Sequence, residues 1–218
     1  MHDFEWIPTP LKNTILRTRN QLRKVHQQRV LTSLDDLACT QLIIGAAGTR
    51  YEGWVATDKE TLNLLDQESW MPLLSLESID ALLAEHIWEH LHPQEAITAA
   101  MTCYAFLKPG GHLRVAVPDG LQPRAAYIDA VKPGGTGLGA EDHKVLYTYA
   151  SFRDLFEGVG FEVRLLEYFD EQGHFHCAEW DPAEGMIQRS KRFDARNAEG
   201  GLVYTSLILD AVKPQEAS

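Results

Sequence analysis

From residue 41 onward, short apolar runs alternate with amphipathic stretches. This alternation is typical of a parallel β-sheet whose strands are joined by crossover helices. Pro93 favours a helix start, and the sequence KPGG at 108–111 favours a helix end before the next strand. We therefore predict a doubly wound, seven-stranded α/β sheet with helices on both faces and a C-terminal antiparallel hairpin. The predicted strands lie near 41–45, 53–57, 61–65, 79–84, 112–117, 161–168 and 202–211, and the predicted helices near 94–107 and 148–158.

Two segments depart from this alternation. Residues 11–30 place apolar side chains at a helical period after Pro8 and Pro10, which predicts an N-terminal helical attachment over residues 1–38. This helix leaves two alternatives, since it can fold over the functional site or join two chains in a homodimer. Near 170–197, a polar and aromatic insertion separates the last two predicted strands. Insertions of this length are usually functional or disordered, and its Trp, Phe and His content favours function.

The composition narrows the choice of partners. The 218 residues carry a formal net charge of -11, so we do not expect nucleic acid or an anionic membrane surface as a partner. The three cysteines form no CxxC pair, which disfavours a disulfide framework and a thiolate zinc site and favours a cytoplasmic location. No apolar run approaches the roughly 18 residues of a membrane span, and no export signal is recognisable. A small molecule is the expected substrate.

The stretch LIIGAAGTRYEGWVATD at 42–58 predicts a ligand site. In an open parallel sheet, ligands bind beyond the carboxyl ends of the strands, where the strand order reverses. Gly45 and Gly48 follow the first predicted strand and allow the backbone to turn with positive φ and to approach a ligand closely. Asp58 ends the second predicted strand, where a carboxylate can accept hydrogen bonds from both ribose hydroxyls. Nicotinamide cofactors and S-adenosylmethionine both fit such a loop, and a structural turn without a ligand is the third alternative.

Five segments occur together in this order: LIIGAAG, GWVATD, IDALLAEHIWEHL, AFLKPGGHLRVAVPDG and SFRDLFEGVGFEV. On these segments, residues 40 to 168 resemble the class I S-adenosylmethionine-dependent methyltransferases, and in particular their type 11-like branch. The resemblance implies a Rossmann-like fold over 39–218 and S-adenosyl-L-methionine as the cofactor. It also implies that the glycine loop binds the methionine part, that two acids bind the ribose and the adenine amino group, and that a third acid faces the transferred methyl group. The glycine loop here is formed by Gly45, Ala46 and Gly48. The acid at the ribose is Asp58, the acid at the adenine amino group is Asp66, and the acid that faces the methyl group is Glu85.

The segment EHIWEH at 85–90 contains the pattern H-x-x-E-H of the inverted zinc proteases. A zinc site of that kind needs both histidines on one face of a long helix and a third ligand further along the chain. The preceding IDALLA predicts a strand and Pro93 ends any helix, so we predict no metal at this motif. His86 is a candidate general base, with an ordinary hydrogen-bonded histidine as the alternative.

The glycine-rich stretch 131–149 lies outside the resembling segments and supplies candidates for the acceptor site. His143 is a second candidate base, and the alternative is that it caps or buttresses the following helix. Tyr147 is a candidate substrate contact.

The insertion supplies further candidates. His174 and His176 are candidate substrate contacts, with a two-histidine metal site as a minor alternative. A basic island includes Arg189 and Arg192, which suit an anionic group unless neighbouring acids pair with them.

The predicted function is methyl transfer from S-adenosylmethionine to a small polar acceptor, which can be anionic. Oxygen is favoured over nitrogen as the methylated atom, with His143 or His86 removing the proton. One alternative is an S-adenosylmethionine-binding protein of the same fold that transfers no methyl group or uses the sulfonium differently. The other is an NAD(P)-dependent reductase.

Overall fold

The computed structural model describes residues 40–215 together with Val25. The described strands are β1 (Gln41–Ile44), β2 (Val55–Ala56), β3 (Ile79–Glu85), β4 (Leu107–Val117), β5 (Glu162–Phe169), β6 (Phe175–Cys177) and β7 (Leu207–Val212). The described α-helices are α1 (Pro93–Phe106), α2 (Ala125–Val131) and α3 (Tyr149–Glu157). None of the helices in this part of the chain has the length and apolar character to cross a bilayer. The predicted helix at 11–30 lies outside the described residues apart from Val25, and the division of the chain at residue 38 stays a prediction.

The seven strands form one mixed sheet in the order β2-β1-β3-β4-β7-β5-β6. The first four strands in this order run parallel, whereas β7 is antiparallel to both β4 and β5, and β6 is antiparallel to β5. From β1 the chain moves outward to β2 and then crosses to β3 on the other side of β1. This reversal opens a crevice beyond the carboxyl ends of β1 and β3. The predicted Rossmann-like, doubly wound sheet with late antiparallel pairing is confirmed.

The predicted strand at 61–65 is wrong. This segment turns back on itself, because the backbone carbonyl of Asp58 accepts hydrogen bonds from the amides of Thr61 and Leu62 at 2.9 and 2.8 Å. Leu62 and Leu64 are nevertheless buried, so a buried turn has the same short apolar run as a strand. The sheet still has seven strands because β6, which is not among the predicted strands, lies within the predicted insertion and pairs with β5.

The central strands bury side chains on both faces of the sheet, because successive residues of a strand point to opposite sides. One face packs against α1 and α3. On the second face, Ile43, Leu83 and Ile208 pack against the loop residues Trp54 and Ile187. Each fully buried side chain of this size contributes about 1.5–3 kcal/mol. The residues of 40–215 that form the apolar cluster of the second face belong to strands and loops.

Arg114 fixes the insertion to the second face. Its side chain is 1% exposed and donates two parallel hydrogen bonds to the carboxylate of Asp210, both at 2.8 Å. The same guanidinium donates to the backbone carbonyls of Asp181 and Gly185 at 2.7 and 2.8 Å. Buried bidentate pairs of this kind have a well-defined geometry. Arg114 therefore holds the insertion where its next residues, up to Arg189, reach the carboxyl edge of the sheet.

Candidate active site

A cavity of about 420 Å³ opens beside the carboxyl ends of β1 and β3, where the strand order reverses. We call it the switch-point cavity. The loop after β1 contributes Gly45 and Ala47 to its lining, and the end of β2 contributes Asp58. The volume lies within the range of small-molecule sites. Apolar side chains line much of the remainder: Leu62, Leu64, Leu65, Ile87 and Leu91.

Gly45 allows the loop after β1 to lie directly against Ile87. Its φ is +61°, and a Cβ atom at this position would lie 2.4 Å from Cδ1 of Ile87. At Gly48, where φ is +142°, a Cβ atom would meet no heavy atom within 4 Å. The backbone is therefore tightly packed at the first glycine and borders open space at the second, as a loop that receives a ligand requires.

Ala46 has a different place from its neighbours. Its amide donates to the carbonyl of Thr57 at 2.8 Å, and its carbonyl accepts from the amide of Thr49 at 2.7 Å. Ala46 is also buried and does not line the switch-point cavity. Ala46 instead lines a smaller cavity of about 190 Å³ together with Gly48 and Asp58, so its contact with the cofactor stays a prediction.

The carboxylate of Asp58 lies on the wall of the switch-point cavity. Its Oδ1 accepts hydrogen bonds from the Glu60 amide at 3.1 Å and from the Thr61 hydroxyl at 3.4 Å, which fix its orientation. Asp66, the predicted adenine contact, is exposed and precedes a 3₁₀ turn at Gln67–Ser69. It does not line the cavity.

A second cavity of about 500 Å³ adjoins the first at the end of β3. We call it the basic cavity, because Arg124, Arg189 and Arg196 line it together with His86 and His143. His86 faces this cavity while the next residue of the chain lines the switch-point cavity. Arginines are well suited to bidentate binding of carboxylate and phosphate groups. The structure therefore places the predicted bases beside a site with the chemistry for an anion.

The arginines of the basic cavity differ in how far acids already pair with them. Arg196 binds Asp194 through two hydrogen bonds, so the alternative of internal pairing applies to this residue. Arg124 donates to the carbonyl of Val203, and the Arg189 guanidinium lies 3.9 Å from the carboxylate of Glu85. We therefore expect Arg124 and Arg189 to contribute most to anion binding.

Glu85 faces the insertion and not the switch-point cavity. Its carboxylate oxygens accept hydrogen bonds from the amides of Gln188 at 3.0 Å and of Arg189 at 2.8 Å. Glu85 therefore positions the backbone at Arg189. This geometry does not support the predicted contact of Glu85 with the cofactor.

The two candidate bases have different free nitrogens. Nδ1 of His143 lies 2.7 Å from the carbonyl of Val131, which only accepts hydrogen bonds, so Nδ1 carries the proton and Nε2 has the lone pair. Both nitrogens of His86 have neighbours, because Nε2 lies 2.9 Å from the Ser206 hydroxyl and Nδ1 lies 3.0 Å from Oε1 of Glu89. His143 is therefore the better placed base.

Glu89 is buried next to both histidines and is 1% exposed. Within the described residues, neither of its carboxylate oxygens has a hydrogen-bond partner, because the contact with His86 lacks hydrogen-bond geometry. Ligand atoms of Glu89, His90 and His143 all lie within 4.8 Å of one another. We call these three residues the Glu89 triad.

Four of the predicted substrate contacts lie away from both cavities. Tyr147 is buried beneath α3, and burial, followed by the charge of Glu89, raises its pKa to about 12. His174 and His176 belong to the β5–β6 hairpin, where both approach Oδ2 of Asp170, at 3.4 and 2.8 Å. Arg192 lies over the ring of Phe193 and does not line the basic cavity.

Sequence reasoning missed several residues of the two cavities. Tyr127 and Tyr204 line the basic cavity, and Arg124 precedes a helix that the pattern does not predict. Isolated aromatic residues and arginines give no signal in a single sequence. Glu89 did have a signal, since it lies within H-x-x-E-H, but its third partner comes from a distant loop.

Comparisons with known proteins find similarity only among solved structures. No family model matches the chain, and no curated protein matches it. A S-adenosylmethionine-dependent methyltransferase from Archaeoglobus fulgidus is 15% identical with a TM-score of 0.46, over 88% of this chain and 94% of that chain. A second such methyltransferase, from Thermotoga maritima, is 15% identical with a TM-score of 0.48, over 92% and 97%. LepI in complex with S-adenosylmethionine is 10% identical with a TM-score of 0.43, over 87% and 40%. At these identities the comparisons do not assign the chain to a family.

Proposed function

We propose that this chain is an S-adenosylmethionine-dependent methyltransferase whose acceptor is a small polar molecule with an anionic group. The observation that carries this proposal is the pair of adjoining cavities at the carboxyl edge of the sheet. One cavity has a glycine loop and a carboxylate, and the other has histidines and arginines. Methyl transfer needs two bound molecules with their reacting atoms close and aligned, and two adjoining cavities supply that arrangement.

The switch-point cavity fits the cofactor by its shape and its polar groups. Bound S-adenosylmethionine supplies an electrophilic methyl group on its sulfonium. Gly45 and the open space at Gly48 allow the backbone to approach the methionine part closely. Asp58 accepts hydrogen bonds from the ribose hydroxyls, and leucines such as Leu62 and Leu64 offer an apolar surface to the base.

The basic cavity binds and orients the acceptor. Arg124 and Arg189 hold its anionic group, and the acceptor's hydroxyl meets the Nε2 lone pair of His143. With the cofactor bound, Nε2 of His143 would accept the hydroxyl proton as the acceptor oxygen takes the methyl group, with the C–O bond formed and the C–S bond broken. An oxygen acceptor is favoured because a hydroxyl needs such a base. His86 contacts Glu89 and Ser206 and positions the turn between the two cavities.

Calorimetry with S-adenosylhomocysteine tests the cofactor part of this proposal. We expect the wild-type chain to bind it and not to bind NADPH. Asp58→Ala should weaken binding at least tenfold, since it removes the acceptor for the ribose hydroxyls. Asp66→Ala is the matched control, because Asp66 is exposed and outside the cavity, and its affinity should equal that of the wild type.

Other outcomes would point to other functions. Binding of NADPH in place of S-adenosylhomocysteine would favour the reductase. Binding of S-adenosylhomocysteine without release of labelled methyl groups to any small hydroxylated anion would favour a non-methylating use of the same site. Equal affinity in the Asp58→Ala variant and the wild type would show that the ribose lies elsewhere.

A further inference from the structure

We propose that the Glu89 triad is a binding site for a divalent transition-metal ion that coordinates the acceptor's oxygen. The ion site itself stands on the geometry of Glu89, His90 and His143. Its role toward the acceptor rests on the function proposed above.

Glu89 provides the strongest reason to expect a cation. Its carboxylate is 1% exposed, and within residues 40–215 neither oxygen has a hydrogen-bond partner. An ionised carboxylate that is buried without partners destabilises a protein by several kcal/mol. Nδ1 of His86 lies 3.0 Å from Oε1, at ion-pair distance without hydrogen-bond geometry. A metal ion bound to the Glu89 carboxylate would remove this penalty.

His143 is held as a metal ligand usually is. A ligating histidine typically donates its other ring N–H to a carbonyl or a carboxylate. Nδ1 of His143 lies 2.7 Å from the carbonyl of Val131, and Nδ1 of His90 lies 3.6 Å from the carboxylate of Asp142. At His143 this leaves Nε2 for an ion, whereas the 3.6 Å separation at His90 is an ion-pair distance and not a hydrogen bond, so the ring can turn either nitrogen to an ion. The rings also meet edge to face, with centroids 4.8 Å apart.

The ligand atoms of the Glu89 triad must move slightly closer together to coordinate one ion. These atoms lie within 4.8 Å of one another. Ligands about 2.1 Å from a tetrahedral ion lie roughly 3.4 Å apart, so the widest pair must close by about 1.4 Å. The side chain of His90 is 32% exposed, so it has room to move and leaves a path for the ion.

The ligand set points to a class of metal. One carboxylate and two imidazoles suit Zn²⁺, Mn²⁺, Fe²⁺ or Co²⁺, whereas Mg²⁺ and Ca²⁺ prefer oxygen ligands throughout. Three protein ligands also leave at least one position open, as in catalytic sites. His143 lines the basic cavity, so this open position is accessible to the acceptor.

A metal ion here would change how the acceptor loses its proton. A hydroxyl that is bound to a divalent ion has a much lower pKa, so its proton can leave to water. The C–S and C–O bond changes stay as described above. His143 would then bind the ion through Nε2 and would no longer accept the proton directly.

The sequence pattern did not predict this site. We predict no metal from H-x-x-E-H because a protease-type site places both histidines on one long helix. Here the motif lies on a tight turn with His86 at φ +57°, and His86 is directed toward Ser206. The loop at His143 supplies the third ligand instead, since the amides of Lys144 and Val145 donate to the carbonyl of Glu89.

Metal titration of the full chain tests the site directly. After treatment with a chelator and its removal, Co²⁺ and Zn²⁺ are titrated by calorimetry, and Co²⁺ is also followed by its visible absorption. We expect one ion per chain and at least a tenfold loss of affinity in Glu89→Gln, His90→Asn and His143→Asn. His92→Asn is the matched control, because His92 caps α1 outside the triad and Asn is a good N-cap residue. It should bind the ion as the wild type does.

The outcomes separate this proposal from the proposed function. Lack of saturable binding by the wild type, or equal affinity in the three triad variants and the wild type, would overturn the metal site. Circular dichroism shows whether each variant folds. If a variant of a buried residue fails to fold, the metal affinity of His90→Asn decides, because the His90 side chain is partly exposed. If S-adenosylhomocysteine binds but no metal does, only the metal site is wrong. If metal binds but S-adenosylhomocysteine does not, the proposed function is wrong and the ion site stands.

Discussion

Replacing Arg114 by Met is expected to lower the free energy of unfolding by about 3–5 kcal/mol, because it leaves a buried carboxylate without its partner. The change removes both 2.8 Å hydrogen bonds to Asp210 and the bonds to the carbonyls of Asp181 and Gly185. Met matches the length of the arginine stem, so the loss reports the polar contacts more than a cavity. The Asp210 side chain is only 11% exposed, so solvent cannot replace the guanidinium.

Urea unfolding followed by circular dichroism measures this loss. With a slope of about 2 kcal/mol per molar urea, the midpoint should fall by roughly 1.5–2.5 M. Arg153→Met is the matched control, because the exposed pair of Arg153 with Asp154 should contribute nothing measurable. A second variant, Arg114→Met with Asp210→Leu, should recover at least half of the loss, since an apolar pair can replace a buried ion pair. A single-variant loss below about 1 kcal/mol would refute the view that Arg114 fixes the insertion to the sheet.

Two further predictions concern the acceptor site and pH. Arg189→Ala should raise the KM for an anionic acceptor about tenfold, whereas Arg192→Ala should leave it unchanged, because Arg189 lines the basic cavity and Arg192 does not. Equal effects of the two changes in steady-state kinetics would contradict this placement. Burial raises the pKa of Asp119 from 3.8 to about 6, although the amides of Leu121 and Phe169 donate to its carboxylate. The folded state therefore binds this proton more tightly, so the contribution of Asp119 to stability grows as the pH falls through 6 and is complete below 3.8. Relative to Asp119→Asn, the wild type should gain about 1.4 kcal/mol between pH 8 and pH 5 in urea unfolding, and a constant difference would show that the pKa of Asp119 is not raised.

The strands that could be predicted from the sequence are those with long apolar runs. β3 and β4 are buried on both faces, so their patterns are unambiguous. The segment 61–65 has a similar pattern for another reason, since its leucines pack inward from a turn. The strand β6 is short, lies at the edge of the sheet and is mostly exposed, so it lacks a burial pattern.

The site could be predicted only where local sequence determines position. Gly45 directly follows β1 and Asp58 lies two residues after β2, so their place at the carboxyl edge follows from the strand order. Tyr147 and Asp66 have suitable chemistry, but burial in one case and an exposed turn in the other keep them outside the cavities. The proximity of Glu89 to His143 depends on how a distant loop packs, which no local pattern encodes.

A crystal structure with bound S-adenosylhomocysteine tests the central claim most directly, because the claim assigns the cofactor to one cavity. We expect the ribose hydroxyls within hydrogen-bond distance of the Asp58 carboxylate and the homocysteine part against the loop at Gly45 to Gly48. The sulfur should then face the basic cavity beside His86 and His143. A ligand bound elsewhere, with the switch-point cavity filled by the side chains of the protein itself, would contradict the account.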